Sequence, residues 1–117
     1  MNDEFPNQSI EELENKYLSI IKNIFLETLP LNEYNIFLFG SRAERNHRRR
    51  SDADVGIFGK TKMSAILKAT LEEKLENANV PYRVDIIDFN ETDDYFKKEA
   101  LKKIVVWNHP QNLPLPA

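Results

Sequence analysis

The stretch FGSRAERNHRRRSDADVGIF, residues 39–58, contains the features that decide the fold of this 117-residue chain. It begins where a short apolar run, Tyr34 to Phe39, reaches Gly40, and it finishes in a second apolar run, Asp54 to Phe58, that reaches Gly59. Apolar runs of this kind, bounded by glycine, are typical of buried central strands. The stretch therefore predicts the connection between two strands of one small sheet.

Helical patterns flank these two strands. Apolar residues recur with helical spacing from Ser9 to Leu29, the pair Ser9 and Glu12 has the spacing of a capping box, and Pro30 ends the segment. The other predicted elements are a helix from Met63 to Ala78, a strand from Tyr82 to Phe89, a helix that starts at Thr92, and at Val105 to Trp107 either a short strand or a helix end.

This order of elements predicts an α/β (α+β) domain in which a small mixed sheet is flanked by helices in two or three layers. The length suits a single domain over residues 1–117, with a core at 8–108. Three prolines among the last eight residues predict an extended tail over 109–117.

Composition and charge narrow the possible functions. No apolar run is long enough to cross a bilayer, the first residues do not resemble a signal peptide, and the lack of cysteine fits a cytoplasmic protein without thiolate metal sites. Five arginines nevertheless lie within residues 42–50 of a chain whose net charge is −3. A single basic patch in an acidic chain indicates a local anionic ligand or an acidic partner, and not direct DNA binding. These arginines are Arg42, Arg45, Arg48, Arg49 and Arg50.

Two aspartates mark the beginning of the second strand. Because side chains alternate along a strand, Asp52 and Asp54 should point to one face, where their charges repel unless a cation lies between them. A divalent metal such as Mg²⁺ or an arginine would meet that need, although a solvated turn is the simpler interpretation. Asp85, which lies between branched residues in the third predicted strand, would join them if the two strands are neighbours. The alternative for Asp85 is a salt bridge to Arg83 or to a loop arginine, and Asp88 is better suited to a cap or turn.

The Gly40-Ser41 pair changes the interpretation of these aspartates. Glycine at the end of a strand permits a tight turn, after which backbone amides and the Ser41 hydroxyl can face an anion. The alternative is an ordinary strand-ending glycine followed by a capping serine. A phosphate-binding turn beside three carboxylates predicts a site for two Mg²⁺ ions and a nucleotide.

The whole pattern resembles the signature of the DNA polymerase beta nucleotidyltransferase superfamily. It consists of Gly40-Ser41, ten intervening residues, Asp52-x-Asp54 and a later strand aspartate, Asp85. The single short domain and the GSRA sequence are similar to its minimal nucleotidyltransferase (MNT) branch. The resemblance implies a nucleotidyltransferase fold and an antitoxin that transfers AMP from ATP to a tyrosine of a partner HEPN toxin, in a hetero-oligomer.

The resemblance also implies residue roles. Gly40 and Ser41 would hold the triphosphate, Arg42 would neutralise phosphate charge, Asp52 and Asp54 would bind the metals, and Asp85 would bind one metal and help to deprotonate the acceptor.

This chain departs from the branch in one place. Glu44 and Arg45 stand where the GSRARG sequence of the branch has arginine and glycine. Loss of that glycine would restrain the loop and Glu44 would weaken nucleotide binding, so a module that neutralises its partner by binding alone is a second hypothesis. A third is the nucleotide-binding subunit of a two-component small-molecule transferase. The remaining loop arginines suit partner docking or solvation, His47 lacks metal-ligand spacing, and His109 is expected to have no special role.

Overall fold

A computed structural model describes residues 10–46 and 51–116 of the chain. The helices and strands follow the predicted order. They are α1 (Ile10–Thr28), β1 (Tyr34–Phe39), α2 (Ser41–Glu44), β2 (Ala53–Gly59), α3 (Ala65–Glu76), β3 (Val84–Asp88), a 3₁₀ turn (Phe89–Glu91), α4 (Asp94–Ala100) and β4 (Val105–Asn108).

The four strands form one mixed sheet in the order β3-β2-β1-β4. Strand β1 is antiparallel to both β2 and β4, whereas β2 and β3 are parallel. The small mixed sheet flanked by helices is therefore confirmed. The segment at residues 105–108, which the sequence left open between strand and helix end, is an edge strand.

Each face of the sheet packs against its own apolar cluster. Alternate residues of β1 and β2, such as Ile36 and Val55, meet α1 and α3 on one face, where Ile21, Phe25 and Leu71 are fully buried. The other face carries a cluster of phenylalanines that packs against α4 and the residues after it; its buried members are Phe37, Phe39 and Phe89. The strand alternation that separates these two clusters also decides which face carries the acidic residues.

Local sequence signals set the helix ends. The Ser64 side chain accepts a hydrogen bond from the Leu67 amide at 3.2 Å, and Asp93 caps α4 through the Phe96 amide at 2.7 Å. Asp88 accepts bonds from the amides of Asn90 and Met63, so its predicted role as a cap is confirmed. The proposed capping box at the first helix involves Ser9, which lies outside the described residues.

The tail is not simply extended, because it turns and packs against the sheet. Leu113 is buried and its amide donates to the Pro110 carbonyl. The buried Asn35 side chain donates to the carbonyls of Phe58 and Pro114. Its Oδ1 atom lies 2.6 Å from Nδ1 of His109. Since the Asn35 amide already donates to two carbonyls, its oxygen accepts from the ring. His109 therefore anchors the tail, which corrects the expectation that it has no special role.

Within the described ranges 10–46 and 51–116, no helix has the length and apolar character needed to cross a membrane.

Candidate active site

The turn between β1 and α2 depends on Gly40. Its backbone has φ 74° and ψ −156°, a region that residues with a side chain rarely adopt. A Cβ atom at this position would also overlap the carboxylate of Asp54. Glycine is therefore required here both for the turn itself and for the close approach of the turn to Asp54. The two halves of the predicted motif meet at this contact.

Asp54 and Asp85 lie side by side on neighbouring strands. They are partners in the register of the parallel pair β2 and β3, where strands run about 4.8 Å apart, so both side chains occupy the same face of the sheet. Asp52 precedes β2 and is exposed. The adjacency of the two strands that carry the three aspartates, on which the predicted site depended, is present in the structure.

The electrostatics of Asp54 reflect this crowding. Burial and then the charges of Asp85 and Asp52 together raise the pKa of its carboxyl from 3.8 to about 6. A partly desolvated carboxylate beside two like charges is stabilised by protonation or by a cation. The surroundings of Asp54 consequently disfavour its charged form.

Asp85 has a nearby cation of its own. Its Oδ1 atom lies 2.9 Å from Arg83 Nε, in an ion pair whose arginine side chain is 75% exposed. The salt bridge considered as the alternative for Asp85 is thus formed. It does not exclude a second partner, because the exposed ion pair is worth at most about 1 kcal/mol and Arg83 can leave it readily.

The three carboxylates fit a hard divalent cation by the chemistry of their oxygen atoms and by the unbalanced charge at Asp54. Among the residues that the structure describes, however, no three acidic, histidine or cysteine side chains are close enough together to form a complete metal-binding group. Mutual repulsion keeps unneutralised carboxylates apart, so a bound ion would need to draw Asp52, Asp54 and Asp85 closer.

The two nucleotide-binding candidates beside Gly40 have different positions. Ser41 is the first residue of α2, directly after the turn, and is partly exposed. Arg42 is 3% exposed, and its Nε and Nη2 atoms both donate to the Ser51 carbonyl, at 3.0 and 2.8 Å. The guanidinium is thus directed into the protein, where a structural role fits better than the expected neutralisation of phosphate charge.

Arg42 makes two further contacts. Its Nη1 atom lies 3.2 Å from the Glu14 carboxylate, and its guanidinium carbon lies 3.7 Å from the centre of the Tyr82 ring. No sequence pattern connects Glu14 or Tyr82 with the motif. The only available signal was that an arginine so close to an apolar strand would need a partner if it were buried.

The backbone conformation of Arg45 suits the glycine that the branch has at this position. It ends α2 in the left-handed conformation, with φ 61° and ψ 28°, which glycine adopts without steric cost. Its side chain forms an exposed ion pair with Glu11 at 2.6 Å. Glu44 is exposed. His47, Arg48, Arg49 and Arg50 lie outside the described residues, so their expected roles stay predictions.

Comparisons with known proteins agree with this geometry. A protein-family model described as "Polymerase beta, Nucleotidyltransferase" matches residues 20–112. A Haemophilus influenzae protein named "probable protein adenylyltransferase MntA" is 27% identical over 95 residues, which are 81% of each chain.

Solved structures share the fold. The crystal structure of a toxin-antitoxin with AMP-PNP matches with a TM-score of 0.64 and 22% identity, over 80% of this chain and 73% of the other. A tri-AMPylated Shewanella oneidensis HEPN toxin in complex with its MNT antitoxin matches with a TM-score of 0.55 and 19% identity, over 88% of this chain and 75% of the other.

Proposed function

Because the chain belongs to the polymerase beta nucleotidyltransferase family, we propose that it is an antitoxin that transfers AMP from ATP to a tyrosine of a cognate HEPN toxin and so neutralises it. The observation that carries the proposal is the contact of Gly40 with Asp54, which brings the predicted phosphate-binding turn against the paired aspartates. The names of the relatives, a protein adenylyltransferase and an MNT antitoxin bound to an AMPylated HEPN toxin, support the choice of acceptor.

Each residue of the site has a role in this proposal. The Gly40-Ser41 turn holds the triphosphate of ATP, and its lack of a side chain at residue 40 lets the phosphates approach Asp54. Asp52, Asp54 and Asp85 would hold Mg²⁺, two ions in the full site. When bound, the metal supplies positive charge that offsets the charge of the phosphates and of the leaving pyrophosphate.

The transfer exchanges one phosphorus–oxygen bond for another and moves one proton. The tyrosine oxygen bonds to the α-phosphorus of ATP while the bond from that phosphorus to pyrophosphate breaks, and the tyrosine proton passes to a carboxylate. We assign that proton to Asp85, because Asp85 lies next to Asp54 on the adjacent strand and is partly exposed toward an incoming acceptor. The toxin must therefore present its tyrosine at the edge of the sheet where β3 begins.

Labelled AMP transfer tests the proposal directly. The purified protein is incubated with its HEPN partner, MgCl₂ and ATP labelled at the α-phosphate, and label on the toxin is measured after denaturing electrophoresis and mapped by mass spectrometry. We expect label on a tyrosine of the toxin, and none with the Asp54→Asn variant or with EDTA. Absence of transfer by the intact protein, with each of the four nucleotides, would refute the proposal.

A second candidate function, neutralisation by binding alone, is favoured by one observation. Arg45 keeps a left-handed backbone conformation at a position where the branch has glycine, so the residue beside the phosphate site carries a steric cost here that glycine would not. In that case an Asp52→Ala, Asp54→Ala double variant would still form the complex and suppress the toxin in cells. Loss of suppression, with the complex intact by gel filtration, would instead favour catalysis.

A further inference from the structure

The buried guanidinium of Arg42 contacts the segments that carry the whole candidate site. Arg42 itself follows Gly40 and Ser41, the Ser51 carbonyl that accepts from Nε and Nη2 immediately precedes Asp52, and the Tyr82 ring lies three residues before Asp85. Glu14 adds a fourth segment, because it places the Nη1 atom against α1. Segments distant in sequence therefore meet at one side chain.

These contacts use every nitrogen atom of the guanidinium. Two nitrogens donate to one carbonyl, the third donates to a carboxylate, and the flat face lies on an aromatic ring. Lysine cannot reproduce this set, since its single ammonium group has neither the planar fork nor the stacking face. The Arg42 side chain is fully buried and Glu14 is mostly buried, so solvent does not replace the contacts when they are lost.

We propose that Arg42 is a positioning residue for AMP transfer, whose guanidinium fixes Asp52 and Asp54 relative to the Gly40-Ser41 turn and to the strand that carries Asp85. The proposal rests on the function proposed above. Pairing of β1 with β2 places Phe39 opposite Asp54, but Ser51 and Asp52 lie before β2, at the end of the ten-residue connector that follows the turn. Arg42 closes that connector by binding Ser51, the last residue before the aspartates.

A backbone hydrogen bond extends the effect to β3. The Ala53 amide, between Asp52 and Asp54, donates to the Arg83 carbonyl at 2.9 Å, beside the Tyr82 ring on which Arg42 lies. A shift of Ser51 would therefore move β2 relative to β3 at the register position of Asp54 and Asp85. A displacement of about 1 Å at reacting groups can lower a rate by roughly a hundredfold.

Kinetics distinguish positioning from direct contact with phosphate. For Arg42→Lys and for Arg42→Gln we expect kcat of AMP transfer to fall between about tenfold and about a hundredfold, while KM for ATP changes by less than about threefold. Glu14 and Tyr82 contact Arg42 from outside the motif, so Glu14→Gln and Tyr82→Leu should also lower kcat. The control variant Lys62→Gln, which removes an exposed ion pair at the other end of β2, should change neither constant.

Opposite results would overturn the proposal. If the Arg42 variants raise KM for ATP at unchanged kcat, and Glu14→Gln and Tyr82→Leu are neutral, Arg42 contacts phosphate and does not position the aspartates. Unchanged kinetics in both Arg42 variants would equally contradict the proposal.

A measurement without substrates separates this proposal from the proposed function. Amide hydrogen exchange on the protein without nucleotide should show faster exchange at Ala53 and Asp54 in Arg42→Lys than in the wild type, with the core of α1 and α3 unchanged. Unchanged exchange at those two amides would refute positioning, whether or not the wild type transfers AMP. A wild type that fails to transfer AMP, together with faster exchange in the variant, would refute only the proposed function.

Discussion

Replacement of Asp54 by asparagine should stabilise the metal-free protein at pH 8 while it removes activity. The substitution keeps the size of the side chain and deletes a charge that is half-buried beside Asp85 and Asp52. Because burial and these two charges raise the pKa of the Asp54 carboxyl to about 6 in the folded protein, ionisation at higher pH costs folding free energy. Asparagine avoids that cost.

The size and pH range of the effect follow from the pKa. A rise from 3.8 to about 6 corresponds to roughly 3 kcal/mol for a fully enclosed group, and solvent screening at this partly exposed side chain reduces it to about 1 kcal/mol. Between the two pKa values the folded state binds more protons than the unfolded state, so stability falls as pH rises through about 4 to 6. The advantage of Asp54→Asn should be absent below about pH 4 and complete above about pH 7.

Thermal unfolding in EDTA at a series of pH values measures the effect. An advantage of about 1 kcal/mol raises Tm by roughly 4 °C in a domain of this size. Asp88→Asn is the matched control, because the Asp88 carboxylate accepts from two backbone amides and asparagine offers one acceptor oxygen in its place. That control should be less stable than the wild type by about 1 kcal/mol, the opposite sign.

Addition of MgCl₂ completes the test. The wild type should gain stability as metal binds, whereas Asp54→Asn should gain little, so that the order of their Tm values reverses at high metal concentration. A variant that is less stable than the wild type in EDTA at pH 8 would show that the Asp54 charge is balanced by the protein. The reasoning on electrostatic crowding would then be wrong.

Three other substitutions test the local geometry. Gly40→Ala should destabilise the protein by about 2 kcal/mol or more, from backbone strain and from overlap with the neighbouring carboxylate, as measured by urea unfolding. Arg45→Gly should be more stable than Arg45→Ala by about 1 kcal/mol, because both lose the exposed ion pair and only alanine keeps a Cβ atom in the left-handed conformation; equal Tm values would contradict this. Asn35→Asp should lower the free energy of unfolding by at least about 2 kcal/mol, because its carboxylate would face the carbonyls of Phe58 and Pro114. His109→Gln should lower it by less. If the urea midpoint of Asn35→Asp equals that of the wild type, the tail is not held by these contacts.

The elements could be predicted from the sequence because local patterns fix them. The strand at Tyr34–Phe39 was predicted with its observed bounds, since a continuous apolar run between a loop and a glycine has few other solutions. Ile86 and Ile87 pack in different apolar clusters, as the alternation of side chains along a strand requires, and Asp85 shares its face with Ile87. Family membership, inferred from the spacing of the glycine, the serine and the aspartates, is confirmed.

The parts that failed depend on contacts between distant residues. Nothing within a few residues of Arg42 reveals that its side chain points inward, because Glu14 and Tyr82 lie far from it along the chain. The same holds for His109, whose partner Asn35 is 74 residues away. A sequence pattern gives residue types and faces, but the direction of a long polar side chain is decided by tertiary packing.

The placement of the arginines determines which charges remain for a ligand. Arg42 directs its charge to Glu14 and to the Ser51 carbonyl, and Arg83 pairs with Asp85 at the surface. The charges that raise the pKa of Asp54 are those of Asp85 and Asp52. In its proposed role Arg42 would hold the aspartates in place, while the crowded charge of Asp54 remains available to a cation that arrives with the nucleotide.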